Sequence, residues 1–300
     1  MGYIFLSLSV LAGATKGFFG KKTSMHIEGF RDAMLANTVR MMMCVIIGAA
    51  VVIAGGDLHS LAPSWEVLLI SAMSGIATSG LVVFWMVSVK TSAYMLVDVV
   101  LMTGTLIPVI GNTVIFGEPI KMQQWIGIGI LIFAAGLMCS YNNSLKKNLT
   151  AKAVVILILC GASGGLGDLS QKLFVNCSEG APVSVFNFYT YVFSALVLIV
   201  CYYAFGIKER LFAMKFRTPN VSKKVYLYIA IMSACLFAAS YFKTFAAGYL
   251  DAVYLYPLSQ GAAMIFSSFM AWVFFGEKIT AKCAVGIALS FIGVLIVNFA

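Results

Sequence analysis

Five ionisable side chains, Lys16, Arg40, Asp98, Asp168 and Lys243, stand inside long apolar stretches of the chain. An ion in such a stretch costs about 2.5–3.5 kcal/mol to insert into lipid, so these groups are expected to turn inward, towards one another or towards water. Three cations and two carboxylates around a shared hollow leave a surplus of one positive charge. That surplus favours an anionic or zwitterionic solute. Depth in the apolar stretches suggests two groups: Lys16, Arg40 and Asp98 can meet near one face, and Asp168 and Lys243 approach the other as a pair. Alternate rupture of an Arg40–Asp98 pair and an Asp168–Lys243 pair would gate the two faces in turn. Structural ion pairs and snorkelling lysines are the plain alternatives for Lys16 and Lys243. Burial raises a carboxyl pKa, so Asp98 or Asp168 could also carry a proton through each cycle.

Other side chains extend the candidate pathway: Trp85, Tyr94, Asn187, Tyr189, Tyr191, Tyr241, Tyr254, Tyr256 and Gln260. A tyrosine in an apolar span more often packs or anchors at an interface than binds a ligand. Gln260, polar at mid-span, is the stronger candidate. Pro108 and Pro257 each free a backbone carbonyl and can kink a helix or supply a polar site. Gly161, Gly164, Gly165 and Gly167 permit close helix approach. Glu118 and Glu277 precede apolar runs and are expected to cap the positive ends of those helices.

His26 and His59 have no ligand spacing, so no metal site is expected. The cysteines, Cys44, Cys139, Cys160, Cys177, Cys201, Cys235 and Cys283, have no C-x-x-C spacing and read as free thiols. The sequence has no phosphate-binding loop, dinucleotide fingerprint, zinc motif or nucleophile elbow. Neither a cofactor nor an enzyme activity is therefore expected.

The elements that must hold these residues follow from composition. Of 300 residues, 61% are hydrophobic and 10% are charged, more apolar and less charged than a soluble domain of this size can be. Lipid must cover the excess. A membrane-crossing helix needs about 20 residues with every backbone group bonded internally. Ten segments qualify: 2–20, 31–54, 65–89, 92–116, 122–141, 152–173, 182–206, 224–247, 251–275 and 280–299. The first has no cleavage site and reads as a retained signal anchor. The longest connection, after residue 206, is basic and amphipathic at 207–216, as expected of a segment on the membrane surface.

The formal net charge of +9 lies between apolar spans, so it reads as a topology signal rather than a nucleic-acid surface. Outside the spans or at their very ends, Lys and Arg concentrate in the loops after odd-numbered segments, while the even-numbered loops hold only Lys121 and Lys172, the latter at the end of the sixth segment. The odd loops are thus expected in the cytoplasm and both termini on the far side.

Displaced by 159 residues without a gap, the chain matches itself, 92–118 falling on 251–277. Phe116-Gly117-Glu118 meets Phe275-Gly276-Glu277, and Gly127-Ile128 meets Gly286-Ile287. Two halves with an odd number of spans each must enter the membrane in opposite senses, an inverted repeat of the kind that builds secondary transporters. The expected fold is therefore an all-α integral membrane protein of ten transmembrane helices, with residues 1–145 and 151–300 as two inverted five-helix repeats.

These residues resemble the drug/metabolite transporter superfamily, and within it the EamA-type ten-helix transporters. The resemblance is carried by Gly117-Glu118 with Gly127, by Gly276-Glu277 with Gly286 and Gly293, by the F-A-A-G-Y-L-D-A run at 245–252, and by Arg40. In one departure Ala134 stands where the second half has Gly293. The resemblance implies that spans one to four and six to nine surround a central cavity and that spans five and ten pack outside it. It also implies a permease that moves a small polar metabolite, such as an amino acid, across the cell membrane by alternating access. Nutrient uptake and multidrug export are alternatives on the same fold, and an integral membrane enzyme is the non-transporter alternative. The expected partners are a small-molecule substrate and the bilayer, with no nucleic acid. Coupling to protons or a counter-substrate is open, as is a monomer or a homodimer. The bacterial cytoplasmic membrane is the expected location.

Overall fold

The computed structural model describes residues 1–26, 30–91, 94–139, 151–178, 180–208, 223–276 and 281–299. These residues form helices and turns and no strand. In chain order the helices are α1 (Gly2–Ser24), α2 (Phe30–Gly55), α3 (Trp65–Thr91), α4 (Tyr94–Gly104), α5 (Leu106–Phe116), α6 (Met122–Cys139), α7 (Ala151–Cys177), α8 (Val183–Lys208), α9 (Lys223–Ala247), α10 (Ala252–Phe275) and α11 (Ala281–Phe299). A short 3-10 helix at Asp57–Leu61 lies between α2 and α3. Among the described residues seven helices, α1, α2, α3, α7, α8, α9 and α10, are long and apolar enough to cross a membrane. Shorter apolar helices cover Val100–Phe116, Met122–Ala134 and Ala284–Val297. Of the surface segment expected at 207–216, the first two residues continue α8 to Lys208 and the rest lies outside the described residues.

The sequence predicts one helix over 92–116, and the structure has two. The break falls at Thr105 because Pro108 has no N–H for the Gly104 carbonyl, and its ring crowds that same oxygen. Thr105 closes the gap locally, donating from N and from Oγ1 to the Met102 carbonyl at 3.2 and 2.7 Å. The freed Gly104 oxygen rests against Gly165 of α7, where any β-carbon would collide with it. Gly104 meets the Gly161 backbone in the same way, so the glycines of α7 serve close packing against α4. Pro257, by contrast, lies inside an α10 that continues through it.

The repeated Phe-Gly-Glu has a backbone reason. Gly117 and Gly276 adopt φ of 69° and 64°, the left-handed conformation that ends a helix and favours glycine.

Packing places α1 along α9, α7 along α3, α2 along α8 and α6 along α11. The principal apolar cluster joins α2, α3, α8 and α9 through Met41, Val82, Tyr191, Leu198 and Phe237. At the α6–α11 crossing, a β-carbon on either Gly127 or Gly293 would lie 3.1 Å from the other's carbonyl oxygen. Large apolar side chains such as Phe133, Trp272 and Phe291 remain exposed on the outside. That is the surface lipid requires.

Candidate functional site

A cavity of about 180 Å³ lies between α1, α2, α3, α4, α7, α8, α9 and α10. Lys16, Arg40, Asp98, Asp168 and Lys243 all line it, together with Trp85, Tyr191 and Gln260. Among the described residues α5, α6 and α11 contribute nothing to the lining.

Towards one end, Lys243 Nζ of α9 donates to Asp168 Oδ1 of α7 at 2.8 Å and stands 5.8 Å from the centroid of the Tyr256 ring. Tyr256 OH donates to the Asp168 backbone carbonyl at 2.6 Å, so α10 fixes the turn of α7 that carries the carboxylate. Lys16 of α1 stands within electrostatic reach of Arg40, Lys243, Asp98 and Asp168.

The expected Arg40–Asp98 pair is replaced by a contact within α2. Arg40 Nη1 donates to Asn37 Oδ1 at 3.3 Å, because Asn37 sits three residues back on the same helical face. Asn37 is itself held, donating from Nδ2 to the Ala33 and Val82 carbonyls at 2.8 and 3.2 Å. Arg40 Nε finds no acceptor among the described residues. Asp98 is buried in α4, and its backbone carbonyl accepts from Gln260 Nε2 at 3.3 Å.

Several predicted pathway residues lie elsewhere. Asn187 is fully buried behind the lining, where its amide donates to Val183 O and accepts from Ser240 Oγ. Tyr189 donates to the Leu61 carbonyl at 2.6 Å, tying α8 to the segment between α2 and α3. Tyr241 packs among Phe237, Phe242 and Phe245. Tyr256 supports Asp168 from behind, and Tyr254 packs against the cluster of α4, α5, α6 and α11. The Tyr94 side chain lies outside those described.

The sequence reading missed the short polar side chains of the wall. Gln171 lines the cavity three residues after Asp168, and Ser240 three before Lys243. Gln171 Nε2 donates to Ser240 Oγ at 3.3 Å, extending a chain that ends on Asn187. Helical spacing from the two charged residues was the available signal.

Two charges outside the cavity also differ from expectation. Glu118 was expected to cap the helix it precedes, α6. Its Oε1 instead pairs with Lys172 Nζ at 3.1 Å, and its Oε2 accepts the Ala252 N–H at 3.0 Å at the start of α10. The α6 start is served by Gln124, whose Oε1 accepts from Lys121 N at 2.8 Å. Lys172, counted as a loop charge, is buried. Glu277 lies outside the described residues.

Chemically, the site offers cations and carboxylates on several helices around a small space. It can neutralise either pole of a polar solute.

No curated protein matches the chain. A solved crystal structure superposes on it with a TM-score of 0.75 at 14% identity, covering 99% of this chain and 96% of that one. At that identity the likeness is one of fold. Residues 151–299 match the model of the EamA-like transporter family, and with its long apolar helices the chain is a multi-pass helical membrane protein.

Proposed function

We propose that the chain is a secondary active transporter that moves a small polar metabolite, such as an amino acid, across the cell membrane by alternating access. The observation that carries this reading is the central cavity, whose ion pair and three further charged groups come from helices of both halves of the chain. Charges are tolerated at such depth where they pair or meet water along a solute path.

Within this reading the ten segments form two inverted repeats, residues 1–145 and 151–300. Packing supports it: α1 lies along α9 as its counterpart α7 lies along α3. Equivalent left-handed glycines end α5 and α10. Two related halves can rock about a site between them and expose it to each side in turn. Lys16, Arg40, Trp85, Asp98, Asp168, Tyr191, Lys243 and Gln260 are the proposed pathway. Drug-sized ligands occupy pockets of about 300–1,000 Å³, so a volume of about 180 Å³ favours a metabolite over a multidrug substrate. The bacterial cytoplasmic membrane is the proposed location, with protons or a counter-solute as driving partner.

The test is flux in proteoliposomes, with substrates first chosen by thermal shift against amino acids, sugars, nucleosides and quaternary amines. Saturable flux absent from protein-free vesicles is the expected result. Flux equal to that of empty vesicles for every class that stabilises the protein would sink the proposal.

A further inference from the structure

The Glu118–Lys172 pair lies outside the cavity, at the end of the bundle where α1 begins and where Gly2 packs on Leu250. Both partners make further bonds. The three N–H donors of Lys172 meet three acceptors: Glu118 Oε1 at 3.1 Å, Ala247 O at 3.2 Å and Leu250 O at 3.0 Å. Ala247 is the last residue of α9, whose free carbonyls attract a cation, and Ala252 opens α10, whose free N–H groups attract the Glu118 carboxylate. One ion pair thus joins α7, the connection after α5, and the turn between α9 and α10. The side chains are 6% and 17% exposed.

Its position relative to the cavity gives the pair a second meaning. Lys172 follows Asp168 by one turn on α7, and Ala247 follows Lys243 by one turn on α9. Two cross-links between α7 and α9 are therefore stacked about 6 Å apart along the helix axes. The inner one lines the cavity, and the outer one lies between it and the bundle end.

We propose that Glu118 and Lys172 are the outer gate of this end of the bundle, closed in the present conformation. Asp168–Lys243 is the inner gate in series with it. The assignment rests on the alternating-access reading above. Separating α7 from α9 to open this end breaks both layers, and water then solvates the parted charges. A buried ion pair suits this role: removing one partner leaves an uncompensated charge that penalises the closed state.

The test reads sidedness and needs no substrate. A single cysteine at Thr78, a cavity-lining position, is placed in a chain whose native cysteines are replaced. In oriented proteoliposomes it is labelled by an impermeant maleimide added on the α1-start side. Lys172→Met and Glu118→Gln are each expected to raise labelling from that side about tenfold or more and to lower it from the opposite side. The paired variant Glu118→Gln/Lys172→Met should label less than either single variant. A structural brace alone would lower the melting temperature of these variants and leave the ratio of labelling from the two sides unchanged, which overturns the gate. If a variant does not fold, a bifunctional thiol cross-link in the Glu118→Cys/Lys172→Cys protein serves instead; it must abolish labelling from the α1-start side, and persistent labelling also overturns the gate. Loss of the gate in these assays leaves the flux assay untouched, whereas absent flux with intact sidedness would count against transport alone.

Discussion

Lys243 Nζ and Asp168 Oδ1 lie 2.8 Å apart across the α7–α9 contact, with side chains 20% and 19% exposed. Both side chains border the cavity, whereas Lys172 is buried outside it. The Asp168–Lys243 bond can therefore be exchanged for solvent or solute at low cost, as an inner gate requires.

Asp168→Asn and Lys243→Met are each expected to reduce the initial rate of flux about tenfold or more. In thermal unfolding, a double-mutant cycle on the pair should give a coupling of about 1–2 kcal/mol. Additive effects on both readouts would show that the contact does not matter to either.

Arg40→Ala should abolish flux while the melting temperature stays close to that of the unmodified protein, since among the described residues the guanidinium makes one hydrogen bond, at 3.3 Å to Asn37. Arg40→Lys keeps the charge without the guanidinium fork, and an intermediate rate is expected. Normal rates in Arg40→Ala and Asp98→Asn would remove both residues from the pathway.

Tyr256→Phe deletes the 2.6 Å bond to the Asp168 carbonyl and leaves the ring beneath Lys243. A loss of about 1 kcal/mol is expected in chemical unfolding, the usual net worth of one such bond. The change should also reduce the rate by less than Asp168→Asn does, because the carboxylate remains.

Gly104→Val forces a side chain into the Gly161 backbone and is expected to cost about 1–3 kcal/mol or more through overpacking. Gly129→Ala is the control: open space surrounds that position, and a small gain in helix stability should follow. Equal melting temperatures for the two variants would contradict the close α4–α7 crossing.

Helix positions were legible in the sequence because apolar run length is dictated by the membrane and not by tertiary detail. The inward turn of Lys16, Arg40, Asp98, Asp168 and Lys243 was legible for the same reason: lipid leaves a charge few alternatives. Partner choice was harder. Asn37 displaced Asp98 as the contact of Arg40 because it lies on the same helix, and Glu118 reached α10 because two helix ends meet there. Depth along a span says nothing about either. Tyr189 and Tyr241 were misplaced since an aromatic in an apolar helix has the same pattern whether it faces a cavity, a loop or a neighbour. The break at Thr105 was foreshadowed by Pro108, but Pro257 gives the same signal within a continuous helix.

The separation of the partners in the chain has a consequence for biogenesis. Asp168 precedes Lys243 by 75 residues. At about 5–20 residues per second the ribosome delivers the lysine about 4–15 s after the carboxylate. During that interval α7 carries an acid with no counter-ion from α9, so the insertion machinery must shelter it, or hold it protonated, until the later helix arrives. Glu118 waits for Lys172 in the same way. Ribosomes stalled between the two syntheses should therefore yield nascent chains whose α7 is released into the bilayer late.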